Sequence, residues 1–466
     1  MIKLEVLGKE GVKQVHEATL RLLSEIGVIL THPTARELLL DHRAHVLGDR
    51  VFFPADLVEN CLAKCPRKVR IQGRDPQKAI ELGDGFWHAH NVGGVPYVLE
   101  GSTRRQATRK DVIEATRLLD ALPNVSTITP IFTPHDVPAV SMTLWMYYDT
   151  VTNTTKPIHG PGVHTAREVH ALVEMARIAC IDGNLTIGIS PLSPLSFPDD
   201  VVEAIIEAAK LGVPLGPLPC PIIGATAPMS IAGALVQQNA EILTSIIIAQ
   251  LVHPGLPIIY TGRLSVINPR TGLSVWGNPE IGLISAATVE IGHYYGLPVN
   301  VYGLCTSAHT PDMQSGYERA LNALVPVLAG ADEISGVGEM EGGVTSSILQ
   351  MIIDDEILSS IKRIWRGFEV SEESLAVDLI ARVMAGSRNF LAEMHTVKYL
   401  RRGEILIPKL AVRESWAEWE AAGRPGIVER AKEKAMELLA HHEVPPLSND
   451  QDVAIRELIK AMEQGR

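Results

Sequence analysis

The chain has 466 residues, with 42 lysines and arginines against 54 aspartates and glutamates, giving a net charge of −12 at pH 7. With no basic block to offset it, that balance argues against nucleic-acid binding, and 46% apolar with 21% charged residues marks a globular chain rather than a disordered one. The length exceeds a usual single core but suits a barrel domain with extensions, and five scattered cysteines (Cys61, Cys65, Cys180, Cys220, Cys305) fit a reducing cytoplasm.

Residues 11–28 predict an amphipathic helix with Val12, Val15, Ala18, Leu22, Leu23 and Ile26 on one face, and the segment Met1-Ile2-Lys3-Leu4-Glu5 before it shows no secretory pattern. Residues 51–85 are mixed, with short β signals at Val69-Arg70-Ile71 and Ala79-Ile80-Glu81-Leu82. A regular alternation then begins. Short apolar strands are expected near 87–92, 125–130, 157–160, 185–190, 213–218, 258–261, 299–305 and 333–338. A helix is expected after each, near 110–121, 140–152, 166–181, 199–211, 230–252, 279–295, 312–329 and 344–365. This order predicts an α/β fold, a (β/α)8 TIM barrel over residues 86–369, with an N-terminal α+β extension (1–85) and a C-terminal helical extension (370–466). No dinucleotide fingerprint follows any strand, which weakens an open doubly wound sheet. The most apolar helix, 230–252, carries Gln237, Gln238, Asn239 and Glu241, so it reads as a buried helix and not a membrane span. The C-terminal extension is expected to cap the barrel or to join copies of the chain in a homo-oligomer.

Within 298–341, Val299 and Val301 alternate with Asn300 and Tyr302. Thr310-Pro311-Asp312 offers a helix start, and Tyr317, Ala320, Leu321, Leu324 and Leu328 keep helical spacing until Gly330. His309 and Asp312 fall between strand end and helix start, where barrel chemistry collects. Trp145, Tyr147 and Tyr148 match a core-facing helix stripe. His88-Ala89-His90 on the first strand is a pair found in metal-dependent barrel hydrolases. The fourth, fifth and sixth strands, however, end in Ser190, Leu218 and Tyr260, which supply no further ligands, and packed or hydrogen-bonded histidines are the better reading. No metal bound directly by the chain is expected, and the Cys61/Cys65 pair reads as two packed thiols. Tyr260 and Tyr302 are expected to point inward near the mouth. They either fill the top layer of the barrel or form walls for a cation, with Tyr97, His159, Trp276 and His309 as further walls.

Three segments resemble the trimethylamine methyltransferase family: Thr306–Glu356, Ala225–Tyr260 and Asn91–Thr108, in the family's order and within a likeness that covers essentially the whole chain. The resemblance implies a (β/α)8 methyltransferase that passes a methyl group from an amine to the cobalt of a corrinoid (cobalamin) carried by a separate cognate protein. The family's founding trimethylamine enzymes carry a pyrrolysine; this chain is built of standard residues only, like members resembling quaternary-amine methyltransferases, of which glycine betaine is the leading donor. A quaternary ammonium already carries its positive charge and leaves as a neutral amine, so it needs orientation, a cation-tolerant pocket and exclusion of water. On this footing His309, Glu339 and Tyr302 are the expected catalytic residues, and Tyr97, His159, Tyr260, Arg263, Asn300 and Trp276 the expected substrate contacts. Arg263 either holds a substrate carboxylate or is a plain surface residue. A metal-dependent barrel hydrolase or lyase and a non-catalytic quaternary-ammonium-binding protein stand as the rival readings.

Overall fold

The computed structural model describes residues 3–181 and 185–465, so Met1, Ile2 and Arg466 at the ends lie outside it, as does the segment 182–184. Its centre is a parallel ladder of four strands, Tyr260–Gly262, Val299–Tyr302, Glu333–Val337 and His88–Asn91, paired in that order. Asn300 stands opposite both Thr261 and Glu333, and Tyr302 opposite Ser335. From His90 the pairing passes by single bridges to Thr127, from Ile128 to Ile158 and from Gly162 to Gly188. It continues through the parallel pair Ile187–Ile189 and Leu215–Pro217, then bridges from Leu215 to Ile258, two residues before the first strand of the ladder. The segments around Thr127 and Ile158 are held by these bridges and are not regular strands. Glycines and prolines at 123, 130, 157, 160 and 161 interrupt both stretches, and proline removes ladder donors.

A helix follows each segment, within a few residues of the expected bounds: Arg109–Ala121, Met142–Thr152, Ala166–Ile178, Asp199–Lys210, Ile231–Val252, Glu280–Tyr294, Met313–Ala329 and Ile348–Arg366. Local chemistry sets their ends. Thr165 and Glu168 form a reciprocal capping box, Thr165 Oγ1 accepting from the Glu168 amide at 3.2 Å and Glu168 accepting from the Thr165 amide at 3.1 Å. Asp312, rather than Thr310, caps the next-to-last of these helices by accepting from the Ser315 amide at 3.0 Å, and Gly330 closes it in the left-handed region.

The face of that helix differs from the expected one. Tyr317, Ala320 and Leu321 are exposed, and the buried face carries Ser315, Glu318, Arg319 and Asn322 beside Ala323 and Val327. Arg319 is fully buried because it serves the backbone beneath it: Nη1 donates to Leu304 O at 2.8 Å and faces Asp354 at 3.1 Å. The apolar stripe that carried the helical signal is thus the outer one.

The Ile231–Val252 helix has the length and composition of a membrane span, yet it is mostly buried inside the protein. Its polar residues have partners there: Gln238 donates to Thr288 at 3.1 Å, and Asn239 to Thr19 at 3.0 Å and Tyr295 at 2.8 Å. The N-terminal helix Gly8–Glu25 lies against it through Thr19, while its His16 reaches Tyr295 at 3.0 Å and Glu59 at 2.8 Å on neighbouring elements. The hairpin Val69–Ile71/Ile80–Leu82 packs Val69, Ile71 and Leu82 on Ile259. At the far end of the chain, the Ile427–His441 and Asn449–Glu463 helices return to the helix layer. His442 meets Asp120 at 2.8 Å, Gln451 donates to Ile178 O at 2.8 Å, and Glu463 accepts from Ser141 at 2.8 Å. Tyr147 and Tyr148 are buried, as their stripe predicts, with the guanidinium of Arg109 3.6 Å above the Trp145 ring.

Helix and strand approach most closely at Gly292, where an added Cβ would lie 2.4 Å from Val299 Cγ2 and 3.0 Å from the Tyr260 ring. Gly292→Ala is therefore expected to destabilise by about 1–3 kcal/mol through overpacking, despite the better helix propensity of alanine. Urea denaturation checks this.

Candidate functional site

The strand register alone decides which side chains face into the ring. Asn300 and Tyr302 point inward as expected, and the same alternation turns Glu333 and Ser335 inward from the neighbouring strand. Around them a cavity of about 450 Å³ opens, lined among others by His90, Thr129, His159, Gly188, Thr261, Arg263, Trp276, Asn300, Tyr302 and the rim glycines Gly342 and Gly343.

Beside its floor lies Glu333, fully buried. Its carboxylate accepts from Thr127 Oγ1, His159 Nε2 and Asn300 Nδ2, each at 2.6 Å. Burial would raise its pKa, but electrostatic interaction with the neighbouring His159 and His90 imidazoles and the hydrogen bonds from His159 and Thr127 hold it far below the ordinary carboxylate range. His159 is fixed from its other side, with Nδ1 2.7 Å from Thr186 Oγ1. The two chain segments come this close because the next residue is Gly160, where a Cβ would lie 1.7 Å from Thr186 O. Asn300 Nδ2 also donates to His90 Nε2 at 2.9 Å. Burial pushes the His90 pKa down to about 4, so the imidazole is neutral at pH 7 and accepts this bond.

Above this polar layer sit a cation and an aromatic pair. Arg263 donates to Gly262 O at 2.9 Å and Asn300 O at 3.2 Å through Nη1, and to Asn300 Oδ1 through Nη2. Its guanidinium lies 5.5 Å from the Tyr302 ring centre, and Tyr302 meets Trp276 edge to face at 4.9 Å. Burial raises the Tyr302 hydroxyl well above its usual pKa and keeps it neutral.

The cavity thus brings together five of the expected residues: His159, Arg263, Asn300, Tyr302 and Trp276. It does not include the other four. Tyr260 points out into the helix layer, where its hydroxyl donates to Asn239 Oδ1 at 2.9 Å; Ile259, Thr261 and Arg263 take the inward positions. The run Ile258-Ile259-Tyr260 is apolar on both faces, so nothing in it sets the phase of the alternation. Glu339 is buried beside the loop instead of facing the mouth, accepting from the Thr306 amide at 2.8 Å with Arg319 3.7 Å away. Gly336 and Gly338, both at positive φ, break the period of two before it is reached. His309 is 77% exposed on the rim, 3.8 Å from Glu341, and Tyr97 lies under Arg104 at 4.5 Å, which itself donates to Glu341 at 2.7 Å. Both belong to a rim cluster built on the hairpin Tyr97–Glu100/Thr103–Gln106 and the strand Thr345–Ser346. Among the described residues, no three of His, Cys, Asp and Glu converge as a metal-ligand set.

Glu333, His90 and Thr186 went unread as site residues. For Glu333 the signal was present: the alternation that turned Asn300 inward also applies to an acid opening an otherwise apolar strand.

A mostly apolar cavity at the ends of parallel strands, with His90, His159, Arg263 and Asn300 among its polar groups, defines an α/β enzyme site. The sequence matches the trimethylamine methyltransferase (MTTB) family over residues 1–465. It is 31% identical to trimethylamine methyltransferase MttB of Methanosarcina barkeri, across 96% of this chain and 93% of that protein. It is 27% identical to the glycine betaine methyltransferase of Desulfitobacterium hafniense strain Y51, across 98% and 97%. The fold is shared with the monomethylamine methyltransferase MtmB of Methanosarcina barkeri, with a TM-score of 0.53 at 15% identity over 92% of this chain and 87% of that one. The chain belongs to the trimethylamine methyltransferase family, and it is a methyltransferase.

Two outcomes test the electrostatics. Glu333→Ala strips the acceptor from three buried donors and is expected to cost about 3–5 kcal/mol in urea denaturation. Burial, against the pull of Arg319 and the Thr306 and Gly343 amides, raises the Glu339 carboxyl from 4.5 to about 8. Its contribution is therefore complete below pH 4.5 and lost as pH rises through 8. From about pH 6.5 to 8, above the His90 transition, stability is expected to fall by roughly 1.4 kcal/mol per pH unit, and Glu339→Gln removes that slope.

Proposed function

We propose that this methyltransferase takes its methyl group from a quaternary amine, glycine betaine first among them, and delivers it to the reduced cobalt of a corrinoid carried by a partner protein. The observation that carries the reading is the Trp276–Tyr302 pair in a cavity whose lining residues His159 and Asn300 bond the ionised, buried Glu333 behind them. Aromatic faces and a fixed negative charge suit an ammonium that cannot itself donate a hydrogen bond. The cavity volume falls within the ~300–1,000 Å³ of small-molecule sites. The eight paired segments are read as a closed (β/α)8 barrel over residues 86–369, flanked by the 1–85 and 370–466 extensions, which sets the cavity at its mouth.

When docked, the corrinoid supplies the nucleophile for in-line attack on a methyl carbon. The chain's own residues do the rest. Trp276 and Tyr302 hold the trimethylammonium with one methyl toward the opening, and the ring of strands keeps water from the other side. As the C–N bond breaks, nitrogen keeps the electron pair and leaves as a neutral tertiary amine, dimethylglycine for glycine betaine. No proton is required, and the site is built accordingly: Glu333 stays ionised, while His90 and Tyr302 stay neutral at pH 7. The rim toward the partner carries Gly93-Gly94, Gly160-Pro161-Gly162 and Gly342-Gly343, short side chains that leave room for a flat macrocycle to approach.

Incubating the protein with reduced cobalamin and, separately, glycine betaine, carnitine, choline and trimethylamine tests this. Methyl transfer is expected from glycine betaine, with a rate lowered roughly tenfold or more in Trp276→Ala, in keeping with a ~2 kcal/mol cation–π contact. Absence of transfer from every quaternary amine contradicts the proposal.

A further inference from the structure

Arg263 is 9% exposed, and among the described residues no carboxylate lies within ion-pairing distance of it. Arg319, a fully buried arginine on the Met313–Ala329 helix, shows the usual arrangement, with Asp354 at 3.1 Å and Glu339 at 3.7 Å. A buried guanidinium without a counter-ion is costly in the free protein, and the cost is offset when an anion arrives.

Asn300 is what keeps the charge uncompensated. Its Oδ1 accepts from Arg263 Nη2, and its Nδ2 donates to Glu333 and to His90. A neutral amide stands between a cation and an anion and satisfies both, so the two never meet. The Arg263 bonds to Gly262 O, Asn300 O and Asn300 Oδ1 occupy both Nη1 hydrogens and one on Nη2. Nε–H and the second Nη2–H remain, on the adjoining edge of the fork, without partners among the described residues. Two parallel donors on one edge match the two oxygens of a carboxylate.

We propose that this edge of Arg263 is a carboxylate subsite, so that the donor is an ammonium carboxylate and not a quaternary amine in general, and that Asn300 is the positioning residue that keeps the subsite free. The inference rests on the reading of the cavity as a quaternary-amine site, but it is tested without methyl transfer. The carboxylate and the trimethylammonium are bound by separate groups, Arg263 on one side and Trp276 with Tyr302 on the other, which sets the distance between them in an accepted donor.

Calorimetric titration of the full chain with three probes decides the matter: glycine betaine, tert-butylacetate (the same shape and carboxylate without the positive charge) and choline (the ammonium without the carboxylate). Wild type is expected to bind tert-butylacetate and to prefer glycine betaine over choline. Arg263→Gln is expected to weaken both carboxylates by about tenfold or more, the loss of a charge-assisted bidentate contact, while leaving choline within about twofold. Arg263→Lys, which keeps the charge and loses the fork, is expected to fall between the two. Equal wild-type affinity for choline and glycine betaine, or no binding of tert-butylacetate, overturns the subsite whether or not the variants fold. If tert-butylacetate binds through Arg263 but no quaternary amine donates a methyl group, the subsite stands and the methyl-transfer reading falls.

Discussion

A single ionised carboxylate, Glu333, sits out of water inside the ring of strands, and the interior of this protein is arranged around keeping it there. Its three hydrogen bonds come from three different segments: Thr127, His159 and Asn300. Two of those segments are held in the ring only by single bridges to their neighbours, so the bonds to Glu333 tie together the part of the ring where ladder pairing is weakest. Two of the donors are oriented in turn: His159 by Thr186, and Asn300 by Arg263 and His90. A charge of this kind is stable only when all of its partners are in place, and so it imposes one geometry on the floor of the cavity.

The chemistry above follows from that constraint. The floor supplies negative potential without a titration near neutral pH, and the wall supplies two aromatic faces at a fixed angle. Asn300 separates Arg263, which lines the cavity, from Glu333, which is buried behind the lining. The rim is a different material: Arg104, lying over Tyr97, donates to Glu341, which also lies 3.8 Å from the exposed His309 and accepts from the buried Thr345.

How much of this was legible in the sequence depended on whether a local period existed to read. The succession of strands and helices was legible because apolar runs of two lengths alternate with turn residues, and the inward set Asn300/Tyr302 because Val299 and Val301 mark the other face. Tyr260 turns outward against expectation because the run Ile258-Ile259 before it is apolar on both faces and sets no phase. Glu339 was misread because two positive-φ glycines intervene. The helix Met313–Ala329 shows a further limit: its buried face is polar, since Arg319 and Glu318 serve the backbone of the preceding loop, and that demand arises only once the loop is in place. The pairing of His159 with Glu333, 174 residues later in the chain, leaves no mark on local sequence.

The most direct measurement is a crystal structure of the protein with glycine betaine bound. The trimethylammonium is expected against the Trp276 and Tyr302 rings with a methyl group facing the opening, and the carboxylate on the free edge of Arg263, with Asn300 still bonded to Glu333. Betaine bound outside this cavity, or held with its carboxylate at the rim and Arg263 untouched, would contradict this expectation.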